Sequence, residues 1–374
     1  MKLTKELLLL TIVLSILSIL WSCTGKDVYQ APKFPKTESR SFELLSGDLI
    51  LGITKSMQVY NGEIIVCSTA PDGNWLHIYD RTNGEMKASA IPQGRGPGEG
   101  LNLHSSYLDM STETLCYYDF NMHKLLSIDL KQTESGGAYV ASELDPCLPM
   151  NRANALIPVP QGGFLLCNYF ISFEKQNKEG LNRYMYFDAA RSLKAEYVEW
   201  PELEDNALLS LYAYPETAFD SDGMHWVVGT QYGAILESFS LKNGEIVRDW
   251  IRYFYPTDMG AHMNDAGNSE SVLGFSKICV KEGIIYSVVD FDHSLKQIIS
   301  KEFKQNPETL NSKIAVFSRE GKPIRLIETG VRVNEIAVDD GCLFAVIETS
   351  DGKECLAKMH TGVKTKCYNS RDRV

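Results

Sequence analysis

The sequence predicts an all-β fold: a six-bladed β-propeller with an N-terminal closing strand, preceded by an export signal and a tether. Three observations predict it. Residues 7–20 are almost entirely apolar and directly follow a short basic start. Residues 41–374 carry short runs rich in Val, Ile, Tyr and Phe, separated by Gly, Asn and Asp, which is the pattern of strands and tight turns. Those runs recur at a near-constant interval, the mark of a repeat architecture.

The leader comes first in the chain. Lys2 and Lys5 precede LLLLTIVLSILSIL, and Trp21-Ser22-Cys23 follows. The apolar stretch is shorter than the ~20 residues a spanning helix needs, and it ends on small residues, as a secretory signal does. Leu20-Trp21-Ser22-Cys23 resembles a bacterial lipobox, with an aliphatic residue three positions before the cysteine and a small one just before it. The resemblance implies that residues 1–22 are removed and that Cys23 is acylated. Lipid chains on Cys23 would hold the protein to a membrane at ~0.8 kcal/mol per buried CH₂. Residues 23–40, with Pro32 and Pro35 and little periodicity, read as a flexible tether.

The body, residues 41–374, repeats six times. Each unit has a turn, an apolar strand, a loop and a second strand. The first turns fall at Gly62, Thr112, Gly162, Gly223, Gly283 and Gly341, spaced by 50 to 61 residues. A four-stranded blade cannot cover both of its faces alone, so blades arranged in a ring bury each other and leave only short edges open. Ser41–Ile53 is strand-like and has no unit of its own, so it is expected to complete the last blade. Two β-sandwiches are the alternative architecture.

Gln93-Gly94-Arg95-Gly96-Pro97-Gly98-Glu99 resembles the GxGPGE segment of TolB-like six-bladed β-propeller lipoproteins from Bacteroidetes, and leader, tether, repeats and this segment stand in the same order as in that family. The resemblance implies the propeller fold and a lipid-anchored place in the cell envelope, and the outer membrane is the expected location. It implies no chemistry.

Composition and motifs narrow the function. A net charge of −11 excludes a nucleic-acid binder, which needs a basic face. The glycine-rich segment 93–100 lacks the Gly-Lys-Ser/Thr ending of a phosphate loop and reads as a tight crossover between blades. There is no CxxC, HxH, HExxH or GxSxG. Asp290-Phe291-Asp292-His293 is an acidic–histidine cluster, expected as a solvated loop rather than a calcium site. Cys67, Cys116, Cys167 and Cys342 sit in different units, too far apart to bridge. A terminal hairpin centred on Thr361 would set Cys355 opposite Cys367.

The reading is a non-catalytic binding or scaffolding module for a protein, peptide or glycan, with no catalytic residues and no cofactor. The alternative is a metal-dependent, lactonase-like hydrolase or a lyase at the channel mouth, which would call for calcium or another divalent ion. The candidate binding residues are Arg95, Glu99, Arg183, Asp258 and His262, all expected nearer the channel mouth than the rim. Two long segments, 202–214 and 256–271, fall outside the strand pattern and are expected over one mouth.

Overall fold

A computed structural model describes residues 29–133, 139–144, 155–160, 162–168, 182–201, 216–220, 222–257, 270–300 and 311–363. The leader, Cys23, Asp258, His262 and Cys367 lie outside the described residues. The chain opens with two short strands, β1 (Thr37–Ser39) and β2 (Glu43–Leu49), and then builds six sheets in order. Blade one holds β3 (Thr54–Tyr60), β4 (Glu63–Ser68), β5 (Asn74–Asp80) and β6 (Met86–Pro92). Blade two holds β7 (Leu103–Asp109), β8 (Thr114–Asp119), β9 (Lys124–Asp129) and β10 (Ser142–Leu144). Blade three holds β11 (Ala155–Pro158), β12 (Gly163–Cys167), β13 (Tyr184–Asp188) and β14 (Leu193–Tyr197). Blade four holds β15 (Glu216–Phe219), β16 (His225–Gly229), β17 (Ala234–Lys242) and β18 (Glu245–Tyr255). Blade five holds β19 (Val272–Lys281), β20 (Ile284–Ser294), the short helix α1 (Leu295–Ile299), β21 (Lys313–Phe317) and β22 (Pro323–Glu328). Blade six holds β23 (Arg332–Asp339), β24 (Cys342–Glu348) and β25 (Glu354–His360).

The sixth blade is completed from the other end of the chain. Strand β2 pairs antiparallel with β25, Glu43 opposite Lys358 and Leu44 opposite Ala357, as expected for residues 41–53. This closure ties the first described strands to the last. The expected Cys355–Cys367 hairpin involves residues outside those described; within them, both edges of β25 are taken, one by β24 and the other by β2. Cys355 is a buried free thiol facing Gly47.

Burial explains why the ring forms. The apolar core divides into six clusters, one at each junction between consecutive blades. Along β4 the side chains alternate between two of them. Ile64 and Val66 pack on blade six, while Ile65 and Cys67 pack on blade two. A strand with period-two side chains and both faces covered reads as a continuous apolar run, which is what β4 shows. The same burial raises the Cys67 thiol pKa far above its ordinary value.

Two expectations differ from the structure. From residue 29 onward the segment read as a flexible tether is fixed to the disc. The Gln30 amide donates to the Tyr253 carbonyl at 2.9 Å, Phe34 packs edge-on against Phe317, and β1 runs parallel to β22 as a fifth strand of blade five. Glu38 on β1 is held by Lys36, Arg40 and Arg325, which lower its pKa to about 2. Asp290–His293, expected as a loop, belongs to β20. Asp290 binds the His293 ring at 2.9 Å.

The two faces of the disc differ. Blade strands alternate in direction, so first-to-second connections leave one face and second-to-third or blade-to-blade connections leave the other. The first face carries tight hairpins. Asn61-Gly62, Glu282-Gly283 and Asp340-Gly341 have positive φ at both positions, which the right-handed twist of paired strands favours. The four longest connections, residues 168–183, 198–215, 256–271 and 295–312, all leave the opposite face.

Candidate functional site

Strands β3, β7, β11, β15, β19 and β23 are the innermost of their blades and enclose a central cavity of about 390 Å³. Toward the hairpin face its lining is mostly apolar, with Val59, Leu108, Phe219, Val280 and Val338. Toward the long-connection face it turns polar, with Lys55, His104, Glu216, Gln231, Lys277 and Glu335.

A shared backbone feature produces this polar mouth. Pairing of β3 with β4 steps from Thr54–Ser68 to Ser56–Cys67, so Lys55 is an extra residue. His104 is extra in β7, between Leu103–Asp119 and Ser105–Tyr118. Asn334 is extra in β23, and Gly274 and Ser276 are extra in β19. Four of the six inner strands thus carry a β-bulge near the same end. A bulge bends its strand and re-aims the side chain it adds, and bulges concentrate beside functional sites.

On one side of the mouth, charges answer each other. The Lys277 ammonium stands 3.0 Å from Glu335 and 3.9 Å from Glu216. Gln231 donates to that same Glu216 oxygen, Oε1, at 2.9 Å. Burial pushes the Glu335 carboxyl up to about 7 against the attraction of Lys277. Burial alone would lower the Lys277 pKa, but Glu335 and Glu216 outweigh it and hold the pKa above the ordinary lysine value. On the other side, Gln58 donates to the Ser106 hydroxyl at 3.3 Å. His104 lies 6.0 Å, ring to ring, from Phe120. Its surroundings, and the positive charges of Lys55 and Lys277, lower its pKa and keep it neutral.

The residues singled out from the sequence lie elsewhere. Arg183 is a correction. Expected at the mouth, it is fully buried between blades three and four, donating to Glu237 through Nη1 at 3.1 Å and Nη2 at 2.5 Å. Its guanidinium also lies over the Tyr184, Trp200 and Phe239 rings. Arg95 and Glu99 sit on the crossover from β6 to β7, and neither lines the cavity. The Glu99 carboxylate folds under its own loop and accepts the Gly96 amide at 2.7 Å. A Cβ on Gly94 would stand 2.0 Å from that carboxylate and would displace it. The Gly98 amide is likewise taken, by Glu143 at 2.6 Å. The glycine-rich segment is a crossover between blades, as read from the sequence, and the structure shows carboxylates pinning it. Arg95 is exposed at its tip.

The residues that do line the mouth were missed because the repeat was read from the second and third strands. The signal was the stretch just before each first turn, where polar residues interrupt apolar ones: TKSMQV, LHSSYL, ETAF, FSKICV and VNEIAV.

A family model described as TolB-like 6-blade propeller-like matches residues 33–341. The chain belongs to this family. Among solved structures, the TolB-like propeller is similar to a Bacteroides fragilis protein described as exported, with a TM-score of 0.54 and 11% identity over 87% of this chain and 98% of that one. A duf4221 family member from Bacteroides vulgatus gives a TM-score of 0.50 and 10% identity over 85% of this chain and 94% of that one. A Xanthomonas campestris gluconolactonase gives 0.48 and 14% over 85% and 89%. At these identities the first two likenesses concern the fold. No curated sequence matches the chain.

Proposed function

We propose that this propeller is a non-catalytic binding module of the bacterial cell envelope, anchored through acylated Cys23 and taking a peptide, protein or glycan at its channel mouth. The observation that carries the reading is the convergence of bulged inner strands on one polar mouth, at the face from which the longest connections leave. Loops placed on a rigid scaffold are where recognition concentrates.

The metal-dependent alternative is less well supported. The two mouth carboxylates, Glu216 and Glu335, already face the Lys277 ammonium. Among the described residues no three His, Cys, Asp or Glu side chains stand close enough to hold a metal ion.

The anchor reading rests on the lipobox resemblance and accords with the exported relative from Bacteroides fragilis. Tyr29, six residues after Cys23, packs against Tyr253 near the long-connection end of β18. Six residues reach at most ~20 Å, so an acylated Cys23 would keep the disc beside the membrane, in the outer membrane on this proposal.

Two measurements test the proposal. Cys23→Ala is expected to release the protein from membranes and abolish palmitate incorporation; retention with full labelling would contradict the anchor. Glycan and peptide arrays probed with residues 24–374 are expected to return ligands whose binding is lost when Ser106→Trp fills the cavity. Binding untouched by that substitution would contradict the site.

A further inference from the structure

The groups at the mouth differ in how far they are committed. Glu335 and Glu216 face Lys277, and Gln231 binds Glu216. Asn334, the bulge residue of β23, reaches Glu354 at 3.4 Å. Lys55, by contrast, lines the cavity and makes no ion pair with any described residue. His104 lines it too, is exposed to it, and makes no hydrogen bond with any described residue. Both are bulge residues, on neighbouring inner strands. The Lys55 charge contributes to lowering the His104 pKa.

Among the described residues the mouth therefore holds one positive charge without a paired carboxylate, beside a neutral imidazole; Glu216 and Glu335 already face Lys277, and toward the hairpin face Asp220 accepts the Gly283 amide and Lys281 pairs with Asp339. A lysine ammonium brings three donors, and a neutral imidazole one more. Hydrogen bonds from an ionised donor to a carboxylate are roughly twice as strong as neutral ones. An unpaired cation in a narrowing, partly apolar cavity also gains more from an anion than it would in water. About 390 Å³ lies within the range of small-molecule sites.

We infer that the channel mouth grips its ligand through a carboxylate group, held by Lys55 and His104, with the rest of the ligand directed toward the Lys277–Glu335 side. This rests on the channel mouth being the binding site, and it names the group recognised there. Polar atoms of the ligand can meet the outer edges of Glu216 and Gln231, while its apolar part meets the lower cavity wall.

The test uses the soluble chain, residues 24–374, and matched pairs of probes: lactate with lactamide, glutarate with glutaramide, and phenylacetate with phenylacetamide. Calorimetry and the His104 ring resonances read binding of each up to 10 mM, on the order of a weak single-group contact. At least one acid is expected to bind ten-fold or more tightly than its amide and to shift the His104 signals. Lys55→Gln should remove that preference while circular dichroism stays unchanged. Arg95→Gln, on the crossover outside the cavity, should keep it. Acids and amides binding alike, an unchanged preference in Lys55→Gln, or no acid binding at all would each overturn the inference. Ser106→Trp separates the two levels. If it abolishes binding that Lys55→Gln leaves intact, the mouth stands and the carboxylate falls. If it changes nothing, the mouth itself is not the site.

Discussion

Arg183 of blade three and Glu237 of blade four form a doubly bonded ion pair with both side chains at most 1% exposed. It spans two blades across the cluster that contains Tyr184, Trp226 and Phe239. Arg248 adds a longer contact to the same carboxylate at 3.4 Å. Arg183→Met should destabilise the protein by about 3–5 kcal/mol, because it leaves a buried carboxylate without its main partner. Arg183→Met with Glu237→Gln should recover part of that loss. Chemical denaturation of the three proteins checks this, and equal stability of the single variant and the parent would contradict it.

Glu335 gives a pH signature. Burial raises its pKa from 4.5 to about 7 in the fold. Between those two values the folded state binds more proton than the unfolded state, so this residue's stabilising contribution is present below about pH 4.5 and is lost as pH rises toward 7. Thermal unfolding midpoints across that window should fall less with rising pH in Glu335→Gln than in the parent. Parallel profiles would contradict the assignment.

The closing strand is expected to be indispensable. Removing residues through Ile53 strips β1 and β2, exposing the edge of β25 and uncovering Leu356 and Phe344 in the junction between blades six and one. An open strand edge beside apolar surface invites association. Light scattering should show aggregation, and unfolding should lose its cooperativity. A monomeric shortened chain that unfolds as sharply as the parent would contradict closure by β2.

Cys355 should be free. With β24 and β2 on both sides of β25, its neighbours across the ladder are Ile347 and the β2 backbone, not a cysteine. Alkylation of the unreduced, denatured protein followed by mass spectrometry should label Cys355 fully. A peptide linking Cys355 to Cys367 would contradict the register.

The ring was legible where burial writes a simple pattern. Second and third strands are covered on both faces, so Ile64–Cys67 and Leu343–Ile347 run apolar and their turns recur. The inner strands were harder to read, since each has a face toward other blades and an edge toward the cavity. Thr54–Gln58 and Glu216–Phe219 therefore mix polar and apolar residues without a clean period. Lys277 and Glu335 meet only because blades five and six are adjacent in the ring. Bulges depend on pairing register, which no single strand's sequence displays. Arg183 misled for the opposite reason: a charged residue at a strand start resembles a mouth residue until Glu237, in the next blade, is seen to bind it. Strand β1 escaped notice because three residues beside two prolines carry no periodicity.

Hydrogen–deuterium exchange with and without the tightest ligand from the arrays tests the central claim most directly. Binding at the mouth predicts slower exchange in peptides covering the bulged inner strands, residues 54–58, 103–106, 273–278 and 333–336, with little change in the outer strands β6, β14 and β22. Protection confined to those outer strands, with the inner strands unaltered, would place recognition on the rim and contradict the account.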